Sequence, residues 1–227
     1  VSTGRHCPGS DSAATDAGQF LDGSYPASFG GSLDVLQGTA DGLPRNDLIA
    51  WITVDDIFAA LRRRADFAPY VGQVIATAAL AAAHKLDDSE FIADHATPVG
   101  ALLIGPLPAA AALELPADRH DAHDNWRDQF RLAWCADGSA CISLTRGDAP
   151  GTQQCRAALL FGGERIRTGN LRQSRRTAVE RADPAQYFEN GNADNLLAGV
   201  PAFSGAHDFL IPSAPQAATR DIVRCLN

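Results

Sequence analysis

The chain has 227 residues, of which 45% are hydrophobic, and it carries a formal net charge of −8. The hydrophobic fraction is ordinary for a globular protein with a buried core, while the acidic balance argues against a general nucleic-acid binder, whose surface would be basic. The sequence contains no run of about 18 apolar residues, so it predicts no membrane-spanning helix.

The first half of the chain predicts irregular structure followed by a strand and two helices. Residues 1–44 are rich in Gly, Ser, Asp and Ala and indicate irregular structure, with a short strand or turn near 32–36. The apolar, β-branched run 46–53 is typical of a strand. It continues into a predicted helix over 54–64, whose aspartates come first and whose arginines come last, as the helix dipole favours. A second helix is expected over 67–86, where apolar residues recur at helical spacing.

The second half of the chain predicts strands. Residues 96–116 contain four prolines and therefore indicate a linker or packed loop, and 124–127 indicates a turn. Turns at 136–139 and 147–151 then separate apolar runs, a pattern typical of an antiparallel meander. The predicted strands are 129–134, 140–145, 154–161, 207–212 and 219–226.

Together these elements predict an α+β fold. A helical part at about 54–86 is expected to pack on or beside an antiparallel β-sheet at about 129–226, with a long Arg-rich loop between strands. We expect a single domain, 1–227, with a mainly helical and irregular subregion 1–115 and a mainly antiparallel β subregion 116–227.

Five cysteines indicate disulfide bonds. Cys135 and Cys141 bracket a turn-rich pentapeptide between two apolar runs, which suggests a hairpin closed by a disulfide. Cys155 and Cys225 would form a second pair, and Cys7 would be free or would pair with a part of the protein absent from this chain. The absence of a CxxC pair weighs against zinc and thioredoxin-like chemistry. We expect an oxidising compartment; the alternative is five buried thiols in a cytosolic protein.

Two polar clusters are candidate metal sites. His120, Asp121 and His123 combine imidazole and carboxylate ligands of the kind that bind transition metals, and they support the alternative hypothesis of a secreted metal-dependent hydrolase. A solvated polar turn is the plainer interpretation. The loop 190–195 offers oxygen ligands for calcium, with Asn190, Asn192 and Asp194 as the candidates. Its spacing does not fit an EF-hand, and Asn, Asp and Gly are also common in turns.

The segment 165–181 carries six arginines. Guanidinium groups bind phosphate or carboxylate in a bidentate manner, but Glu164 and Glu180 are interleaved and balance part of the charge. A loop longer than about a dozen residues in a compact domain is usually functional or flexible. The favoured interpretation is a solvated loop or a subunit contact.

Three segments resemble the globular parts of prepilin-like proteins, the superfamily of type IV pilins, minor pilins and pseudopilins. The first is NDLIAWITVDDIFAALRRR, 46–64, in which a strand leads into an amphipathic helix. The second joins a strand ending in two glycines and the Arg-rich connection to DPAQYFENGNADN, 183–195. The third is HDNWRDQFRLAW, 123–134. The superfamily's N-terminal leader and long apolar helix have no counterpart, so the resemblance implies a headpiece without that helix. The lack of methionine fits a trimmed chain.

The resemblance implies a structural role. The chain would be a subunit, or a minor or tip component, of an extracellular type IV pilus-like or type II secretion-like filament. Its partners would be other pilin-like subunits, it would lie outside the cell or in the periplasm, and it would not be an enzyme. No cofactor is implied, although calcium could bind at the Asn/Asp loop. The expected contact or loop-ordering residues are Arg172, Arg175, Arg176, Tyr187 and Asn192.

Overall fold

The computed structural model describes six stretches of the chain, namely 38–40, 43–45, 54–147, 151–163, 173–209 and 221–227. By its internal contacts the chain divides into two units, Val1–Ala59 and Ala60–Asn227. In the first unit, strands Gly38–Ala40 (β1) and Leu43–Arg45 (β2) form an antiparallel hairpin. The predicted boundary near residue 115 falls inside the second unit.

Several sequence predictions lie outside the described residues. These are the strand or turn near 32–36, the strand at 46–53, the state of Cys7, the position of Arg172 and the end of the candidate strand 207–212.

The two predicted helices are present, and further helices accompany them. The helices are Val54–Arg62 (α1), Phe67–Ala83 (α2), Ser89–His95 (α3), Ala117–Trp126 (α4), Ala178–Ala182 (α5) and Asn190–Ala198 (α6). The predicted turn at 124–127 is wrong, because α4 continues to Trp126 and a 3₁₀ turn, Arg127–Gln129, follows it. None of the helices in the described stretches is long and apolar enough to cross a membrane.

The predicted α+β class is confirmed, and its strands form two sheets in the second unit. The strands are Thr97–Val99 (β3), Leu102–Pro106 (β4), Phe130–Cys135 (β5), Ile142–Arg146 (β6), Thr152–Cys155 (β7), Ala157–Phe161 (β8), Ala202–Gly205 (β9) and Ile222–Leu226 (β10). The main sheet is antiparallel with the order β10-β8-β5-β4-β3. The small sheet has the order β7-β6-β9, in which β9 runs parallel to β6.

The sheets differ from the predicted meander. The segment 96–116, predicted to be a linker or packed loop, contains β3 and β4. Its prolines are compatible with these strands, since Pro98 lies in an edge strand and Pro106 ends its strand, where a missing N–H is tolerated. The predicted strand 154–161 is two strands, β7 and β8, that belong to different sheets. The chain therefore leaves the main sheet after β5 and returns at β8. The described part of the predicted strand 207–212, residues 207–209, is not in a strand, and β9 ends before it at Gly205.

The main sheet is the middle layer of the second unit. Its two central strands, β5 and β8, are buried throughout, as expected for strands covered on both faces. Phe130, Leu132 and Trp134 alternate onto the face that packs against the helices α2, α3 and α4. Ala133 and Cys135 lie on the other face, in a second core built with the small sheet and α6. Each core contributes hydrophobic burial on the order of 1.5–3 kcal/mol for each large side chain.

Two disulfides connect these layers, so the prediction of disulfide bonds is confirmed. Cys135 and Cys141 are joined across the turn after β5, with their Cα atoms 5.8 Å apart. Cys155, at the end of β7, is joined to Cys225 in β10, with Cα atoms 5.4 Å apart. The second bond ties the small sheet to the main sheet. Disulfides are typical of proteins outside the reducing cytosol.

Candidate functional site

The second segment of the family resemblance is described by the structure from residue 173 onward. Thr177 and Glu180 form a capping box that starts α5, in which the Thr177 hydroxyl accepts from the Glu180 N–H and the Glu180 carboxylate accepts from the Thr177 N–H. A 3₁₀ turn, Pro184–Gln186, and α6 follow. In its described part, 173–181, the predicted Arg-rich loop therefore ends in the short helix α5.

Five side chains hold this segment against the second face of the main sheet. We call them the clasp: Arg131 of β5, Arg175, Tyr187, Asn192 of α6, and Asp221 next to β10. Four of these residues are buried, each with 2–6% of its surface exposed to solvent, and Arg175 is half-buried.

At one end of the clasp, two guanidinium groups contact the ring of Tyr187. The Cζ atoms of Arg175 and Arg131 lie 4.3 Å and 5.2 Å from the centre of its ring, within the range of cation–π attraction. Burial raises the pKa of Tyr187, so the neutral phenol is favoured. Burial also lowers the pKa of Arg131, whose ordinary value is so high that it stays charged at neutral pH.

The two arginines also bond to backbone carbonyl groups. Arg131 donates from Nη1 to the Phe130 oxygen at 2.7 Å and from Nη2 to the Arg181 oxygen at 3.0 Å. Arg175 donates from Nε to the Gln186 oxygen at 2.8 Å and from Nη2 to the Gly163 oxygen at 3.3 Å. These bonds connect β5 and the end of β8 to the segment that carries Tyr187.

The glycine after β8 permits the close approach of Tyr187. A Cβ atom at Gly162 would lie only 2.6 Å from the Tyr187 carbonyl oxygen, which is too close for any side chain. Gly162 also donates its N–H to the Gln129 oxygen at 2.8 Å. The first glycine of the pair that follows this strand is therefore needed, because a larger residue would collide with Tyr187.

At the other end of the clasp, Asn192 links three parts of the chain. Its Nδ2 donates to the Asp221 Oδ2 at 2.8 Å and to the Ser204 carbonyl at 2.7 Å, while its Oδ1 accepts from the Ser204 N–H at 2.9 Å. The Asp221 Oδ2 also accepts from the Glu189 N–H, at the start of α6, at 3.1 Å. This network fixes α6 to β9 and β10.

Asp221 carries an electrostatic cost in this network. Its Oδ1 is buried and has no hydrogen-bond partner among the residues that the structure describes. Burial raises the pKa of Asp221 to about 6, although the hydrogen bonds from Asn192 and Glu189 oppose the shift and favour the carboxylate. Glu189, whose own pKa burial raises, adds to the effect, while Arg175 opposes it.

We expect the stability of the fold to fall as the pH rises through the range in which Asp221 ionises. The pKa of Asp221 is about 6 in the folded protein, against an ordinary 3.8, so the folded state holds this proton more tightly than the unfolded chain does. The stabilisation is fully present below about pH 4 and is lost as the pH rises through about 6, a loss of about 3 kcal/mol in the free energy of unfolding.

Urea unfolding across this pH range measures the effect by comparison between variants. Asp221→Asn cannot ionise and should lose this part of the pH dependence. Asp94→Asn, which changes an exposed carboxyl on α3, should keep the wild-type profile. Identical pH profiles for the wild type and Asp221→Asn would show that the assignment is wrong.

The predicted contact residues thus fall into different environments. Arg175, Tyr187 and Asn192 come together in the clasp and are largely enclosed within the fold. Arg176 is exposed, and its N–H donates to the Glu180 carboxylate at 2.8 Å. The role of these residues as contacts with a neighbouring subunit stays a prediction.

The proposed calcium loop is a helix. Asn190–Ala198 forms α6, which ends at Gly199 in the left-handed conformation that closes many helices. The Asn192 oxygen is occupied by the Ser204 N–H, and Asp194 is exposed. The sequence favoured a turn here because Asn, Asp and Gly are poor helix formers, and the bonds of Asn192 to β9 offset that weakness.

The histidine cluster is also helical, since His120, Asp121 and His123 lie on α4. The Nε2 atom of His120 lies 2.9 Å from the Leu115 carbonyl oxygen, and the Nε2 atom of His123 lies 2.9 Å from the Pro108 carbonyl oxygen. His123 is buried, and Asp121 is exposed. In the described stretches of the chain, no three His, Cys, Asp or Glu side chains are grouped so that they could hold a metal ion.

Sequence reasoning missed Arg131 and Asp221, the two buried charges of the clasp. Arg131 interrupts the apolar run in QFRLAW, and Asp221 directly precedes the apolar residues Ile222 and Val223. A charged residue inside or beside a strand that is otherwise apolar must find partners if it is buried, and that signal could have identified both.

Comparisons of this chain with protein-family models, with curated proteins and with solved structures give no match.

Proposed function

We propose that this chain is the headpiece of a pilin-like structural subunit, or of a minor or tip component, in an extracellular filament of the type IV pilus or type II secretion kind. The observation that supports this proposal most is the use of the resembling segment. Arg175 and Asn192 bind the segment to the fold largely through backbone carbonyl and N–H groups, and the ring of Tyr187 is buried in the core. Residues used in this way favour a scaffold over a reaction centre.

The other resembling segments support the same conclusion. The segment 46–64 includes α1, an amphipathic helix, and 123–134 enters the central strand β5 from the end of α4. The second unit has helices on one face of its main sheet and the small sheet on the other, and two disulfides cross-link it. Such cross-links suit a subunit that must stay folded outside the cell. The proposed role requires no cofactor.

The metal-dependent hydrolase gains no support from the geometry of its histidines. The Nε2 atoms of His120 and His123 are both bound to backbone carbonyl oxygens, so each ring has one nitrogen already engaged. The remaining nitrogen of His123 is buried and has no partner within the described part of the chain.

Localisation in the source organism tests the proposed function. Surface filaments are sheared from cells and probed with an antibody raised against this chain, and electron microscopy with the same antibody locates the label. We expect the chain in the sheared fraction, with label along the filaments or at their tips. Deletion of the gene for this chain provides the control. Secretion of the chain as free protein, with none in filaments from the same cells, would contradict the proposal.

A further inference from the structure

The outward face of α2 is unusual for a surface helix. The helix has 17 residues and none of them is charged, in a chain of which 20% of residues are charged. Its exposed positions follow one stripe along the helix: Pro69, Tyr70, Gln73, Ala76, Leu80 and, just after its end, His84. Tyr70 is 45% exposed and Leu80 is 62% exposed. Surface helices of monomeric proteins usually carry charged residues on this face.

A groove of about 380 Å³ runs along the C-terminal part of the α2 stripe. One wall is formed by Ala76, Leu80 and Ala83 of α2, which are small or apolar. The opposite wall includes Arg146 at the end of β6 and Arg224 in β10. Arg224 also bonds to Asp208 at 3.3 Å. The groove therefore combines an apolar wall with two guanidinium groups whose positive charge attracts carboxylates, and both groups already have partners within the chain.

A surface of complementary chemistry lies at the opposite edge of the same sheet. The helix α3 exposes Glu90, Ala93 and Asp94, so two carboxylates flank a small apolar residue on one face. The helix α2 contacts β8 and β10, whereas α3 contacts β4. Since β10 and β3 are the two edges of the main sheet, the groove and the acidic face of α3 lie toward opposite edges.

We propose that the groove beside α2 binds the acidic face of α3 in a second copy of this chain. Leu80 and Ala83 would contact Ala93 of the neighbour, while the arginine wall would face Glu90 and Asp94. The inference rests on the proposed filament function and names the partner surface within it.

The placement of the two surfaces determines the kind of assembly. Each copy would use its groove at one edge and its α3 at the other, so the contact is heterologous rather than two-fold symmetric. A heterologous contact that does not close into a ring generates an open filament.

Sedimentation equilibrium of the 227-residue chain tests the proposal. Self-association is measured from about 10 μM to about 1 mM, the range in which small, weak contacts are populated. The first variant, Leu80→Glu, places a charge on the apolar wall of the groove. The second, Glu90→Lys with Asp94→Lys, reverses the acidic face of α3. Each change is expected to weaken self-association by at least about tenfold.

A mixture of the two variants is the decisive measurement. The first variant retains α3 and the second retains the groove, so together they should form a 1:1 dimer that does not extend. Val179→Glu, which changes an 80%-exposed apolar residue on α5, is the matched control and should associate like the wild type. All substituted positions are exposed, and thermal unfolding checks that the variants are folded.

Three outcomes would overturn the inference: a wild type that stays monomeric over the whole range, a Leu80→Glu variant that associates as the wild type does, or a mixture that forms no dimer. The test is separable from that of the proposed function. Loss of this contact in a chain that is found in surface filaments removes only the inference. A contact that forms as described in a chain absent from filaments removes only the proposed function.

Discussion

Replacing Tyr187 with alanine is expected to lower the free energy of unfolding by about 4 kcal/mol, the range of large buried aromatic truncations. The ring is 2% exposed and belongs to the core beneath the small sheet. Its removal leaves a cavity and also removes the cation–π contacts of Arg131 and Arg175 with the ring. The loss of these contacts accounts for up to about 2 kcal/mol of the total.

Tyr187→Phe is the informative control for this prediction. Phenylalanine keeps the ring and its contact with both guanidinium groups, so we expect a loss below about 1.5 kcal/mol. Tyr70→Ala removes a tyrosine that is 45% exposed and should also have a small effect on the monomer. Urea unfolding followed by circular dichroism measures all three variants. A loss in Tyr187→Ala no larger than that in Tyr70→Ala would contradict the clasp.

Limited proteolysis adds a local measurement to the global one. Trypsin cleaves after arginine, and Arg175, Arg176 and Arg181 lie in the segment that the clasp holds. Partial opening of this segment, short of global unfolding, would expose these sites. We expect faster cleavage at them in Tyr187→Ala under native conditions, while Tyr187→Phe should resemble the wild type.

The elements predicted correctly from the sequence are those marked by a pattern of apolar residues within a short stretch of chain. The helix α2 follows from apolar residues at helical spacing, and its buried residues, such as Val71, Ile75 and Ala78, are members of that pattern. The strands β5 and β8 follow from their apolar runs. The α+β class was therefore accessible, since each of these elements buries enough apolar surface to show its own signal.

Elements with weak local signals were missed. The helix α4 has the sequence ADRHDAHDNW, and among its residues only His123 is buried, so no apolar stripe marks it. The strand β3 has only three residues, one of which is a proline. Its sequence is therefore typical of a loop, and only its pairing with β4 identifies it as a strand. The pairing of β5 with β8 rather than β6 depends on where the chain turns after Cys135, which no short window specifies.

The candidate site depended on partners far apart in the chain. Arg131 bonds to the Arg181 carbonyl 50 residues away, and Asn192 bonds to Asp221 29 residues away. The sequence drew attention to Arg175, Tyr187 and Asn192 because they lie in one unusual segment. Nothing in the sequence indicates that Arg131 and Asp221 contact them, because these residues become neighbours only when the strands of the sheet pair.

Breaking the disulfide between Cys155 and Cys225 is expected to cost about 4 kcal/mol, against about 2 kcal/mol for the bond between Cys135 and Cys141. The difference arises in the unfolded chain. The first bond closes a loop with a sequence separation of 70, whereas the second spans 6 residues. Opening the longer loop restores more conformational entropy to the unfolded state and therefore favours unfolding more strongly.

Paired alanine substitutions measure the two costs separately by urea unfolding. Cys155→Ala with Cys225→Ala should lower the midpoint more than Cys135→Ala with Cys141→Ala, and reduction of the wild type should approach the sum if the two sites act independently. Reduction needs no substitution, so it controls for packing changes at Cys155, which is fully buried.

The long-range bond also ties β7 to β10, so its loss should uncouple the small sheet from the main sheet. Hydrogen exchange in β6 and β7 would detect this uncoupling before global unfolding. Equal losses from the two pairs would contradict the loop argument, and unchanged exchange in the small sheet would show that the core beneath it, rather than the disulfide, holds the layers together.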